Sequence, residues 1–185
     1  MNHFLVVVVL ATLFSGVGRG NELAALARED QAVRAGGKDP RSDDERRKRV
    51  LELLAAGKVE SPRNKFDAAL VLQHTGMRYC EGELASLSAE NYLLAHFLFK
   101  EAWAGGVNEA AYFAAASIDR YLSVTEGIQK YGTNRVFDQD SGKEFLVPID
   151  RSVSDTERRK HGVPSLNELL ERWPEKEKVG PRTGG

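Results

Sequence analysis

The chain carries a single cysteine, Cys80, so no disulfide can close within it. In an exported protein a lone cysteine is either a buried, inert thiol or a link to another chain, and the buried thiol is the simpler reading. An excess of one charge is also missing. Lys and Arg number 26 against 27 Asp and Glu, a formal net charge of −1, so no field selects nucleic acid or an anionic membrane. The densest basic run, R-R-K-R at 46–49, follows D-D-E at 43–45. Asp44 to Lys48 and Glu45 to Arg49 stand at i,i+4 spacing, which reads as a solvated helix face. Gly-rich phosphate loops, G-x-G-x-x-G, G-x-S-x-G and C-x-x-C are all absent, as are H-x-x-x-H and H-E-x-x-H. Neither a cofactor nor a metal is expected.

Long apolar runs are missing too, except at the start. Residues 1–14, M-N-H-F-L-V-V-V-V-L-A-T-L-F, are followed by the small-residue stretch S-G-V-G-R-G. The run falls short of the about 20 apolar residues that span a bilayer. It reads as a signal peptide over residues 1–20, cleaved after Gly18 or Gly20, with only the terminal amine and His3 charged before it. The expected destination is secreted or periplasmic, with no stable membrane span after removal. Residues 21–174 then form a single helical domain, and residues 175–185, which lack an apolar face, a mobile tail.

What is present is helical periodicity. Leu23, Leu26, Ala27 and Val33 share one side of a helix over 21–35 that Gly36-Gly37 ends. Ser42 caps a second helix over 43–56, and Ser61-Pro62 opens a third that runs to Thr75-Gly76. A polar stretch, M-R-Y-C-E-G, leads to Ser88, which caps a fourth helix closed by Gly105-Gly106; a fifth begins at Asn108. So short a turn predicts an antiparallel, tetratricopeptide-like hairpin, with no second copy in the chain. R-V-F and E-F-L-V around D-Q-D-S-G predict a β-hairpin. Ser154 and Glu157 have capping-box spacing, and a short helix S-L-N-E-L-L-E-R-W ends at Pro174. The fold class is mainly α: a helical bundle with one helical hairpin and one small β-hairpin near the C-terminal third.

The fifth helix poses a problem in chemistry. Ala110, Ala111, Phe113, Ala114, Ala115, Ala116 and Ile118 cover its whole circumference, so it is enclosed, yet Asp119 and Arg120 follow. Successive residues lie about 100° apart, so the two charges cannot share one strip of solvent. A buried carboxylate needs a cation or several donors, and Arg34, Arg135 and the amides of Q-K-Y-G-T at 129–133 are the candidates. Gln73-His74 closes the apolar run A-A-L-V-L in the same manner, with Asp67 and His74 on one face, and His96 sits between Ala95 and Phe97. With Asp119 the two histidines make only a weak zinc set. Asp30 and Arg34, taken alone, are an i,i+4 surface pair.

D-Q-x-x-R (Asp30, Gln31, Arg34), A-A-L-V-L-Q-H at 68–74, A-H at 95–96, D-R-Y-L at 119–122, Q-K-Y-G-T at 129–133, S-D-x-E-R at 154–158 and G-V-P at 162–164 occur in that order. In order and spacing the series resembles a family of bacterial domains of unknown function, over roughly residues 22–173. Asn64 and Asn134 depart from its pattern, where an acidic residue and a glutamine are usual. The resemblance implies a mainly helical domain with these recurrent polar residues, and no reaction.

The binding candidates are therefore Asp30, Arg34, Gln73, His74, His96, Asp119, Arg120, Gln129, Tyr131 and Thr133. The leading expectation is an exported module that takes a small molecule or peptide in a polar pocket between the helices and the hairpin. The alternatives are an acid/base enzyme with His74 or His96 as base, Asp119 orienting it and Arg120 steadying negative charge, and a scaffold with no ligand. Export predicts that the full chain, expressed with an intact secretion pathway, matures to begin after Gly18 or Gly20. Intact mass reads this directly, and recovered protein that still carries residues 1–20 contradicts it.

Overall fold

Serine and glycine set most of the helix ends. The structure is a computed structural model that describes residues 19–80, 82–138, 141–177 and 179–181. The first eighteen residues of the expected signal peptide over 1–20, the Cys80 thiol and the tail residues 182–185 lie outside them. The helices are α1 (Arg19–Arg34), α2 (Asp43–Ala55), α3 (Pro62–Gln73), α4 (Ala89–Ala104), α5 (Ala110–Thr125), α6 (Asp155–Lys160) and α7 (Leu166–Arg172). Ser42 and Glu45 form a reciprocal capping box at α2, and Ser165 with Glu168 forms another at α7; each cap is worth about 1 kcal/mol. Ser61 and Ser154 accept from Asn64 and Glu157. Ser88 stands at the N-cap of α4 as expected but makes no cap bond, because its hydroxyl turns to Glu90.

The expected helical hairpin is formed by α4 and α5. Gly106, at φ 95, lets Val107 N–H reach Ala102 O and its own N–H reach Trp103 O, which closes α4 and turns the chain back. Phe66, Phe99 and Phe113 then meet with ring centroids 5.4–5.6 Å apart at the centre of the main core, which α1 to α5 share. A second core of Tyr131, Leu146, Ile149, Val163 and Leu169 lies beyond α5. Ala114 belongs to the first core and Ala115 to the second, so α5 is a partition with an apolar layer on either side. That is why its apolar residues run all the way round.

Strands β3 (Arg135–Asp138) and β4 (Lys143–Leu146) form the expected antiparallel hairpin. A second hairpin, β1 (Met77–Cys80) with β2 (Glu83–Ser86), replaces the expected polar stretch. The mobile tail is also corrected over its described part. Lys176 N–H donates to Leu146 O, Val179 is 3% exposed in a core with Leu84, Val136 and Val147, and β5 (Gly180–Pro181) pairs in parallel with β2. One valine with two flanking backbone bonds docks a segment that has no apolar periodicity. The basic run at 46–49 is a further correction. Arg46 is fully buried, bound to Asp39 at 2.6 Å and to Asp43 and Arg41 O, and Arg47 is 7% exposed. Arg49 pairs across to Glu22 on α1 at 2.6 Å rather than to Glu45, which is engaged at the cap. Among the described residues no helix is long and apolar enough to cross a membrane.

Candidate functional site

Asp119 and Arg120 point into different neighbourhoods, and nine of the ten candidate residues divide with them. On the first side the Asp119 carboxylate is fully buried and accepts five hydrogen bonds. Lys130 N–H and Tyr131 N–H reach Oδ1 at 2.8 Å, Gly132 N–H and Thr133 N–H reach Oδ2 at 2.9 and 2.8 Å, and Thr133 Oγ1 reaches Oδ2 at 2.7 Å. The Q-K-Y-G-T amides supply the compensation, not Arg34 or Arg135; Arg135 pairs with Glu144 and lies over Trp173. Gly132 permits the wrap, because at φ 100 a Cβ would stand 2.5 Å from Leu169 Cδ1. Gln129, fully buried, ties the ends of the loop by donating to Asn134 O and Val147 O and accepting from Asn134 N–H at 2.6 Å.

Burial is the strongest influence on the Asp119 carboxyl and pushes its pKa up, while the bonds from Thr133, Tyr131 and Lys130 pull it back. Four of the five partners are backbone N–H groups, which only donate, and these bonds favour the ionised form against the effect of burial. Behind the same loop lies a residue absent from the sequence-derived set: Arg158, fully buried, donates to Tyr131 O at 3.2 Å, Val153 O at 2.8 Å and Asp150 O at 3.0 Å. The S-D-T-E-R motif was its only signal. Asp119, Gln129, the Tyr131 backbone and Thr133 thus spend their polar groups on the chain itself and do not line a cleft with the other candidates.

His96 joins neither group. Its Nδ1 lies 2.8 Å from Ala114 O, and His161 Nδ1 makes the same contact with Ala111 O one turn away. Neither His96 nor His74 meets Asp119, so the His, His and carboxylate set is not assembled. Among the described residues no cluster of three His, Cys, Asp or Glu side chains could hold a metal.

The second group gathers where α1, α2, α3 and α5 meet. His74 is the C-cap of α3, and its Nδ1 lies 2.5 Å from Asp30 Oδ2. Asp30 is 1% exposed and also receives Gln31 Nε2 at 3.0 Å and Arg34 at 3.3 Å, so the pair Asp30–Arg34 is not a surface pair. The last carbonyls of a helix need donors. Here Arg120 gives one to Gln73 O at 2.8 Å, Arg47 one to His74 O at 3.4 Å and Tyr92 O–H one to Thr75 O at 2.6 Å. Arg47 and Tyr92 were not among the candidates; a buried guanidinium and a core tyrosine have no periodicity that marks them.

Arg120 differs from the other two arginines of this group. Arg34 is paired with Asp43 and Asp30, and Arg47 with Asp44, whereas Arg120 has no carboxylate within ion-pair distance among the described residues. Burial pushes its pKa down, partly offset by Tyr92 and Tyr112, and the positive charge of Arg34 adds to the strain. It remains a guanidinium, half-buried, one residue along from an oriented imidazole.

Comparison of the chain with family models, with curated proteins and with solved structures returns no match.

Two outcomes test these assignments. Asp119→Asn sets an amide NH₂ against loop donors and removes a buried charge, so it is expected to destabilise the fold by about 3–5 kcal/mol, read by chemical denaturation, with faster hydrogen exchange at the 130–133 amides. Burial, more than any other influence, holds the His96 imidazole below its ordinary pKa, against the raising effect of Ala114 O. Its stabilising contribution is therefore in place above the unfolded value of about 6.5 and declines as pH falls through it, since the unfolded chain then binds more protons. The denaturation midpoint should drop less on acidification in His96→Gln than in the native chain.

Proposed function

We propose that the protein is a binding module for an anionic group on a small molecule or peptide, held where Arg120 and Arg34 flank the Asp30–His74 pair. Arg120 carries this reading. Taking a guanidinium out of water without a counter-charge is costly, and one carbonyl bond restores only part of that loss. An incoming phosphate or carboxylate supplies what is missing, with bidentate geometry that suits arginine. Asp30 holds the His74 ring from Nδ1, which leaves Nε2 for the ligand. The apolar run at residues 4–14 and the small residues after it support an exported setting for such a module.

A second reading, acid/base catalysis by His74, draws on the 2.5 Å contact with Asp30. A buried carboxylate that fixes one imidazole nitrogen so that the other can move a proton is the arrangement of a general base. Asp30, not Asp119, takes the orienting role in it.

Thermal denaturation with inorganic phosphate, pyrophosphate and citrate as probes tests the binding proposal. A probe present at about one hundred times its Kd stabilises the fold by about 2.7 kcal/mol. Arg120→Gln keeps a donor for Gln73 O and removes the charge, so the variant should fold and lose most of that shift. No shift from any of the three probes, or an equal shift in the variant, overturns the proposal.

A further inference from the structure

A separate cleft of about 390 Å³ opens between α1 and α3, on a part of the molecule that neither His74 nor Arg120 lines. This volume is at the small end of ligand pockets. Asp67 is its deepest polar group, 3% exposed; Ala27 and Leu70, both buried, and the half-buried Ala24 supply apolar wall. Arg28 and Arg63 stand at its mouth, exposed.

The hydrogen bonding of Asp67 is incomplete. Arg63 Nε reaches Oδ1 at 3.1 Å, and Oδ2 accepts no bond among the described residues. The Arg63 guanidinium also holds Glu109 through Nη1 at 2.9 Å and lies 4.7 Å over the Phe66 ring. Arg28 makes no hydrogen bond or ion pair among the described residues, although its charge acts on Asp67. An aspartate that is 3% exposed thus keeps one carboxylate oxygen without a donor beside a cavity whose rim carries a guanidinium with no hydrogen bond or ion pair among the described residues. Gln31 Nε2 is committed to Asp30 at 3.0 Å, which leaves its Oε1 as a further acceptor at the same cleft.

We propose that this cleft binds an α-amino acid or dipeptide in its zwitterionic form, the ammonium donating to Asp67 Oδ2 and the carboxylate accepting from Arg28. A small apolar side chain then lies against Ala24, Ala27 and Leu70. Each half of the ligand supplies what one residue lacks, and the spacing between a buried carboxylate and a rim guanidinium rejects ligands with only one of the two charges. Burial, the largest influence, already holds the Asp67 carboxyl above the usual range, with Arg63 opposing it. An ammonium at Oδ2 favours the ionised form, so binding and deprotonation are linked.

The test is a titration of the ¹⁵N-labelled full chain with L-alanine and L-alanyl-L-alanine, followed by N-acetyl-L-alanine and L-alaninamide, each of which lacks one charge. The zwitterions are expected to shift the amide resonances of α1 and α3 around Ala27 and Leu70, and the blocked analogues to bind at least about tenfold more weakly. Arg28→Gln, at an exposed position that should not disturb folding, is expected to cost about tenfold in affinity, and Asp67→Asn at least as much. His74→Gln and Arg120→Gln should bind as the native chain does, which separates this site from the anion site. No shift from either zwitterion, equal binding of the blocked analogues, or unchanged affinity in Arg28→Gln overturns the proposal, and the Arg28 variant decides the matter if Asp67→Asn does not fold.

Discussion

A single buried carboxylate is the polar anchor of the C-terminal half of this fold on the α5 helix. Asp119 stands on the α5 partition with an apolar core on either side, where an unpaired charge has no access to water. Four consecutive amides and a threonine hydroxyl close around it. The same loop turns a carbonyl outward to Arg158, so a buried anion and a buried cation are bridged by peptide dipoles rather than by direct contact. This explains how the domain tolerates both charges: each is solvated by backbone that must be satisfied in any case. The loop also ties down the chain that leaves β4, since Gln129 pairs with Ile149 and donates to Val147 O.

Arg120, one residue further on, shows the opposite outcome. The rotation of about 100° per residue takes it away from the loop and toward the C-terminus of α3. There the helix offers carbonyls, which accept but carry no full charge. Arg46 and Arg47 fill comparable positions on α2, each with an aspartate within reach. Arg46 and Arg47 are matched by aspartates and Arg158 by three carbonyls, whereas Arg120 has one carbonyl and no carboxylate among the described residues.

Local chemistry accounts for what was legible in the sequence. Helix caps at Ser42, Ser61 and Ser154, the glycine stop at Gly105-Gly106 and the β3–β4 hairpin all depend on neighbours within a few residues. The enclosure of α5 was legible for the same reason, because an alanine-covered circumference excludes a solvent face. The β1–β2 hairpin was not: M-R-Y-C and E-L-A-S are four-residue strands, too short to establish a period of two. Asp30 and Arg46 were misread because an i,i+4 or i,i+3 ion pair has the same spacing on a surface as in a core. Only the packing of α1 against α2 and α3 distinguishes the two, and that information is non-local. Likewise Val179 docks on Leu84 and Val147, residues far away along the chain, from a segment whose own composition is that of a solvated tail.

The resulting division also limits where function can reside. A residue whose donors and acceptors are all matched within the chain can recognise a ligand only by breaking something, and for Asp119 that means exposing five donors at once. Residues with an unmatched charge or lone pair bind at no such cost. By this criterion the Asp119 carboxylate and the four loop amides around it, within the most conspicuous polar stretch in the sequence, are the least able to act. Arg120, with one carbonyl partner and no carboxylate, and Asp67, with one carboxylate oxygen free of donors, are the most able. Both sit on helices whose positions the main core fixes, Asp67 on α3 and Arg120 on α5. A ligand at either would therefore meet side chains held by packing rather than groups that must first be ordered, which lowers the entropy lost on binding.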